Sequence, residues 1–196
     1  MRLFVALDFP DAVRQRLRQL IARLQAYSSG ARWVKSEGMH VTLKFIGYVD
    51  AGKVGAICSA LAPIYSAQAV DMHFRGVGFF PNERRPRVLW CGVEATPNLP
   101  ALAADIDRAL APLGIASEAR EFTPHLTLAR FSPERRNARV ETLVRQAGEL
   151  ESCEFGAARE TEFYLYESVL KPSGAEYKRL AGFPFVRAVA MKKGEA

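Results

Sequence analysis

The sequence predicts an α+β protein of two similar lobes, each an antiparallel sheet backed by helices. Three observations carry this prediction. Runs of strand length, apolar or alternating, are interspersed irregularly with stretches whose apolar residues recur at the helical period. The pattern His-x-Thr-Leu occurs twice, at His40 and His125, each time on a predicted strand followed by a loop and a helix; the two histidines are 85 positions apart in a chain of 196 residues, close to half its length. No low-complexity linker divides the chain, so one bilobal domain over residues 1–196, with one motif per lobe, is expected.

The elements follow in order. Leu3 to Phe9 reads as a strand. Pro10-Asp11 opens a helix whose Val13, Leu17, Leu20, Ile21 and Leu24 share one face, the arginines between them facing water, and Ser28-Ser29-Gly30 ends it. Ala31 to Lys35 reads as a short strand, and His40 to Ile46 as another, stopped by Gly47. A helix over residues 50–65 turns Val54, Ile57, Cys58 and Leu61 inward. Val70 to Phe80 and Arg87 to Val93 read as a strand pair joined by the polar loop of residues 81–86. Asn98 is expected to cap a helix reaching Leu113, with Leu99, Leu102, Ile106 and Leu110 inward and Gly114 as its stop. Glu118 to Phe122 and His125 to Phe131 read as strands, and Ser132 as the cap of a basic helix reaching about Gln146. Cys153 to Ala157, Thr161 to Glu167 and Phe185 to Met191 complete the strands, with a frayed tail at residues 192–196.

Composition narrows the function. With 49% hydrophobic and 24% charged residues the chain is of ordinary globular type. A formal charge of +6 and a pI of about 9.4 favour an anionic partner, whether nucleic acid, nucleotide or acidic membrane surface. Cys58, Cys91 and Cys153 lie far apart and are odd in number, which argues for a reducing compartment. The first apolar run is broken by Asp8, too early for a signal-peptide core, and no run approaches the roughly 18 apolar residues of a membrane helix. A soluble cytoplasmic protein is expected.

The two motifs carry the chemistry. Side chains alternate along a strand, so His40 and Thr42 share one face, opposite Val41, Leu43 and Phe45; His125 and Thr127 share another, opposite Leu126 and Leu128. The apolar faces can bury into lobe cores while imidazole and hydroxyl look into a cleft. Two facing imidazoles suit the opening of a cyclic phosphodiester. One activates water as a base, the other protonates the departing oxygen, and an unperturbed pKa near 6.5 allows both states near neutral pH. The threonine hydroxyls can hydrogen-bond the non-bridging phosphate oxygens. No metal or other cofactor is required. One His-x-Thr-Leu is weak evidence; two copies on two of only three histidines arise by chance on the order of once in ten thousand.

With those motifs in view, the sequence resembles the 2H phosphoesterases, and within them the bacterial RNA 2′,3′-cyclic phosphodiesterases, formerly called 2′-5′ RNA ligases. The resemblance spans essentially the whole chain. It rests on Arg2-Leu3-Phe4-Val5-Ala6-Leu7, on His40 through Gly47, on Pro124-His125-Leu126-Thr127-Leu128-Ala129-Arg130, and on Leu165-Tyr166-Glu167-Ser168. It implies a bilobal fold with two antiparallel sheets, helices on their outer faces, and a pseudo-two-fold axis through a basic central cleft. It also implies hydrolysis of an RNA 2′,3′-cyclic phosphate to a 2′-phosphomonoester, with His40 as proton donor to the leaving oxygen and His125 as acceptor from water.

Around the histidines, Thr42 and Thr127 are expected to bind phosphate. Lys44 shares the parity of His40 and Thr42 and is expected to line the same cleft. Arg130 is a phosphate-binding candidate although strict alternation turns it toward Leu126, so a twist or bulge is needed. Trp33, Tyr48 and Tyr166 are candidates to stack on a base, with core or rim packing the commoner use of such residues. His73 lacks a threonine partner and reads as structural. The clusters Arg84, Arg85, Arg87 and Arg135, Arg136, Arg139 could touch RNA backbone or be solvated surface. Gly76-Val77-Gly78 completes neither a dinucleotide loop nor a P-loop, and no zinc spacing or Gly-x-Ser-x-Gly elbow occurs. The leading expectation is a metal-free phosphodiesterase on RNA ends, acting as a monomer without an obligate protein partner or a membrane. The alternatives are the same site on 2′-5′ oligonucleotides or a small cyclic nucleotide, and a non-catalytic RNA- or nucleotide-binding module.

Overall fold

The computed structural model describes residues 1–27, 31–132, 138–171 and 174–186. β1 (Arg2–Leu7) is followed by α1 (Asp11–Gln25), β2 (Ala31–Trp33) and β3 (Val41–Tyr48). Then come α2 (Val54–Leu61), β4 (Val70–Phe80), β5 (Val88–Ala95), α3 (Asn98–Leu110) and β6 (His125–Phe131). The C-terminal part adds α4 (Ala138–Gly148), β7 (Glu154–Glu160), β8 (Glu162–Lys171) and β9 (Gly174–Pro184). One sheet has the order β3-β1-β8-β9, the other β2-β6-β5-β4-β7, and all named pairings are antiparallel. Each sheet therefore carries one His-x-Thr motif, but neither is a contiguous half of the chain. The path crosses from β1 to β2, back to β3, and returns at β8 to complete the first sheet.

Helices cover one face of each sheet. α3 packs on β3 with α2 beside it; α1 and α4 pack on β7 and β4 of the second sheet. The apolar stripe of α1, Val13, Leu17, Leu20, Ile21 and Leu24, is buried as its periodicity predicts. Gly156 lets it lie close, because a Cβ there would sit 3.1 Å from Val13 and the residue has φ 120°. The core side of β1 holds Leu3, Val5 and Leu7, fully buried, against Val41 and Leu43 of β3 and Phe163 and Leu165 of β8.

Both motif strands carry a β-bulge at the same motif position. On β3, Thr42 pairs with Ala6 and Lys44 with the adjacent Val5, so Leu43 is an extra residue. On β6, Thr127 pairs with Trp90 and Ala129 with the adjacent Leu89, so Leu128 is extra. Each bulge shifts the parity of everything after it. Lys44 and Ala129 turn inward and are 2% and 0% exposed; Phe45 and Arg130 turn to the open face.

This overturns two expectations. Lys44 does not line the cleft. Its ammonium is buried under α3, where it donates to the Asp107 carboxylate and to the Ala116 carbonyl at 2.6 Å, with Glu118 at 3.9 Å. Phe45 is not core; it is 44% exposed, under the guanidinium of Arg2 at 4.9 Å. Other differences are local. β3 runs through Gly47, whose φ of 86° is accommodated at a register shift, to Tyr48. The second helix is shorter than expected, a 3-10 turn at Ala51–Lys53 and then α2. Pro97, not Asn98, precedes α3; the Asn98 amide instead donates to Ser66, Gln68 and Ala69. Residues 118–122 form no strand, because the segment serves as a strap whose Ala116 and Glu118 engage Lys44 and Asp107. β9 is not predicted by the sequence, its alternation hidden by charged residues on a half-exposed hairpin. Phe185 and Val186 lie beyond β9, while 187–191, the tail and the expected cap segment after Ser132 fall outside the described residues.

Removing Asp107 leaves a buried ammonium without its main counter-charge. We expect Asp107→Ala to lower the unfolding free energy by about 3 kcal/mol in urea titration, and Lys44→Met with Asp107→Leu to lose much less. Equal losses would show that packing, not the stranded charge, sets the cost.

Candidate active site

His40 immediately precedes β3, and its ring is held by aromatic contacts. It stacks on Phe4 of β1 at 4.4 Å between centroids and meets Tyr177 of β9 edge-on at 5.0 Å; Tyr166 of β8 stacks on Phe4 at 5.2 Å. The tight turn before it, Ser36–Gly38, runs under Tyr177, and a Cβ at Gly38 would lie 2.8 Å from that ring. Arg14 of α1 clamps this turn. Its guanidinium donates to the Ser36 and Met39 carbonyls, both at 2.9 Å, and to the Asp8 carboxylate. Asp8 also accepts from Arg179 at 2.8 Å, whose guanidinium lies 3.6 Å from the Tyr164 ring centroid.

His125 opens β6. Its Nδ1 lies 2.8 Å from the Thr123 carbonyl, which can only accept, so Nδ1 carries a proton and donates to it. Phe80 meets His125 edge-on at 5.0 Å and packs on Trp90 at 5.2 Å. Trp90 lies flat over Gly78, where any Cβ would come within 2.3 Å of the indole.

The two motif strands run side by side, with Cα atoms of β3 and β6 within 8 Å. Thr42 and Thr127 are half-buried on the open faces, and the charge of Arg130 reaches His40. The expected residues His40, Thr42, His125, Thr127 and Arg130 thus lie on, or immediately before, two neighbouring strands, and Lys44 is turned away from their open faces. Tyr166 lies beside Phe4 in that seam; Tyr48 is exposed at the far end of β3, and Trp33 is half-buried with its indole Nε1 unpartnered among the described residues. His73 is exposed on β4, and Arg84, Arg85 and Arg87 are exposed around the β4–β5 loop. The side chains of Arg135, Arg136 and Arg139 lie outside the described residues. A cavity of about 330 Å³ between Ile46, Lys53 and Ile115 holds neither histidine. Among the described residues no group of three or more His, Cys, Asp or Glu is placed to hold a metal ion.

The clamp of Asp8, Arg14 and Arg179 was not anticipated. The periodicity of α1 predicts a solvent-facing Arg14, yet its side chain is 14% exposed; only the carboxylate just after β1 hints at a partner.

Burial between aromatic rings pushes the His40 pKa down to about 4; the Gly38 hydrogen bond and Asp8 pull it up, while Arg14 and Arg130 push it further down. Glu160, partly buried and close to Asp8 and Glu162, is pushed up to about 7.

The chain belongs to the LigT-like phosphoesterase family, whose model matches it twice, over residues 7–90 and 93–177, once around each motif. Within that family it is 36% identical over 183 residues to the RNA 2′,3′-cyclic phosphodiesterase of Archaeoglobus fulgidus, covering 93% of this chain and 99% of that one. It is 31% identical to the protein of the same name from Methanothermobacter thermautotrophicus, covering 93% and 98%. Its fold is similar to that of a solved Thermus thermophilus protein, with a TM-score of 0.77 and 27% identity over 94% of this chain and 98% of that one. It is also similar to E. coli LigT complexed with 3′-AMP, with a TM-score of 0.74 and 26% identity over 95% and 98%. The 2H phosphoesterase resemblance and the α+β fold of two antiparallel sheets both stand.

The His40 shift has a sign in stability. Unfolded, the imidazole takes its proton near pH 6.5; folded, only near 4. The unfolded state binds more protons in between, so this contribution is complete above pH 6.5 and is lost as pH falls toward 4. Glu160 acts oppositely, its charging costing stability as pH rises from 4.5 to about 7. The difference between wild type and His40→Asn isolates the histidine. We expect the wild type to lose more stability than the variant between pH 6.5 and 4 in denaturant titrations; parallel curves would contradict a buried neutral His40.

Proposed function

We propose that the protein hydrolyses RNA 2′,3′-cyclic phosphodiester ends to 2′-phosphomonoesters by metal-free acid–base catalysis between His40 and His125. The observation that carries this reading is the matched pair of motif strands, each with its histidine, threonine and bulge at the same motif positions. The names of the relatives support the substrate class.

His125 is the base. Its Nδ1 proton is committed to Thr123, which aims the Nε2 lone pair at water. As water attacks phosphorus, Nε2 takes its proton, the bond from phosphorus to O3′ breaks, and His40 delivers a proton to O3′. The products are a 2′-phosphate and a 3′-hydroxyl, and solvent exchange resets the two rings. Thr42, Thr127 and Arg130 offer donors to the non-bridging oxygens as charge develops. His40 must be protonated to act as the acid, and burial, with the charges of Arg14 and Arg130, opposes that. The bound phosphodiester supplies the anion that raises its pKa, with Asp8 helping. The acid is thereby charged in the complex with substrate rather than in the protein alone.

We expect His40→Ala and His125→Ala each to lower kcat/KM on an RNA ending in a 2′,3′-cyclic phosphate by about 10² or more, measured in EDTA, while Lys44→Met stays within a few-fold of wild type. Turnover close to wild type in either histidine variant removes that residue from the mechanism. Loss of activity in EDTA, restored by a divalent metal, removes the metal-free scheme.

A further inference from the structure

The open faces of the two sheets differ in how their cations are held. Beside the first sheet, Arg14 of α1 and Arg179 of β9 are both paired with Asp8, and Arg2 of β1 lies over Phe45 and donates to Ser168 at 3.4 Å. In the second sheet Arg32 of β2 pairs in register with Arg130 of β6. Directly paired residues of an antiparallel ladder project from the same face, with Cβ atoms about 5 Å apart. Both arginines are exposed, and among the described residues neither forms an ion pair.

Two like charges directly opposite each other destabilise a ladder. A short edge strand gains protection from one cation, but that purpose does not call for a second guanidinium facing it. An anion lying along the pair would reverse the sign of the interaction. The bulge at Leu128 is what brings Arg130 to this face, in line with Thr127. Thr127 and Arg130 pair with Trp90 and Val88, two residues apart on β5, so they are about 7 Å apart along the seam. That is roughly one nucleotide step along an extended strand, and Arg32 lies one strand further out.

We propose that Arg32 binds the internucleotide phosphate on the 5′ side of the cyclic end, so that the site prefers an oligonucleotide to a cyclic mononucleotide. This rests on the RNA-end reading above. Arg130 reaches back to the reacting phosphate, and Arg32 takes the next one along. A guanidinium suits the task because it grips phosphate with two parallel donors and is always charged. The first sheet offers no equivalent, because Phe45 occupies the motif position that Arg130 holds in the second and the nearby cations are engaged.

The test compares a trinucleotide ending in a 2′,3′-cyclic phosphate with the corresponding nucleoside 2′,3′-cyclic phosphate, using wild type, Arg32→Ala, Arg32→Lys and the distant charge control Arg108→Ala. We expect Arg32→Ala to raise KM for the trinucleotide about tenfold and to reduce the salt dependence of log(kcat/KM) by about one phosphate contact, with the mononucleotide changed less than twofold. Arg32→Lys should recover part of the loss and Arg108→Ala none of the effect. Equal losses on both substrates, or no loss on the trinucleotide, overturns the assignment of Arg32. Hydrolysis of neither substrate by the wild type overturns the reaction itself, and this proposal with it.

Discussion

An extra residue at the same motif position of each motif strand, Leu43 on β3 and Leu128 on β6, decides which of the side chains that follow it reach the open faces. A strand presents alternate residues to opposite faces, so one inserted residue exchanges the two sets beyond it. Before the bulge, His40 with Thr42 and His125 with Thr127 share their open faces. After it, Lys44 and Ala129 go to the core, and Phe45 and Arg130 come out. The buried ion pair beneath α3 and the cationic row on the second sheet both follow from this parity change. The repetition at the same motif position makes the two sheets equivalent in backbone while their side chains diverge, aromatic on one and cationic on the other.

The divergence suits an acid and a base drawn from one motif. His40 lies among Phe4, Tyr166 and Tyr177, where desolvation favours the neutral ring. The turn that carries it is tied by Arg14 to α1 and, through Asp8, to Arg179 of β9. His125 meets fewer rings and is oriented by Thr123. In the proposed mechanism the proton donor is charged only once an anion binds, which couples proton delivery to occupancy.

Much of this was legible in the sequence because the strongest signals were periodic or repeated. The stripe of α1, the limits of β4 and β6 and the duplicated histidines all came from local pattern. What escaped depends on long-range pairing. The position of Lys44 cannot be read from alternation, because the bulge at Leu43 is defined only by β1 across the ladder. The expectation for Arg130 includes such an irregularity; that for Lys44, just past the other motif, follows strict alternation. Arg14 has the composition of a surface arginine, and only the fold brings it to Asp8 and the turn before His40. β9 lacks clean alternation because one side of its hairpin remains half-exposed.

The most direct test of the central claim, two histidines in opposite protonation states around one phosphate, is 15N NMR of the imidazole rings at pH 7 with and without a saturating nucleoside 2′-phosphate. The account predicts a neutral His40 that gains a second ring proton on binding, beside a His125 protonated on Nδ1 in the free protein. A His40 ring that stays neutral in the complex, or a His125 ring carrying its proton on Nε2, would contradict it.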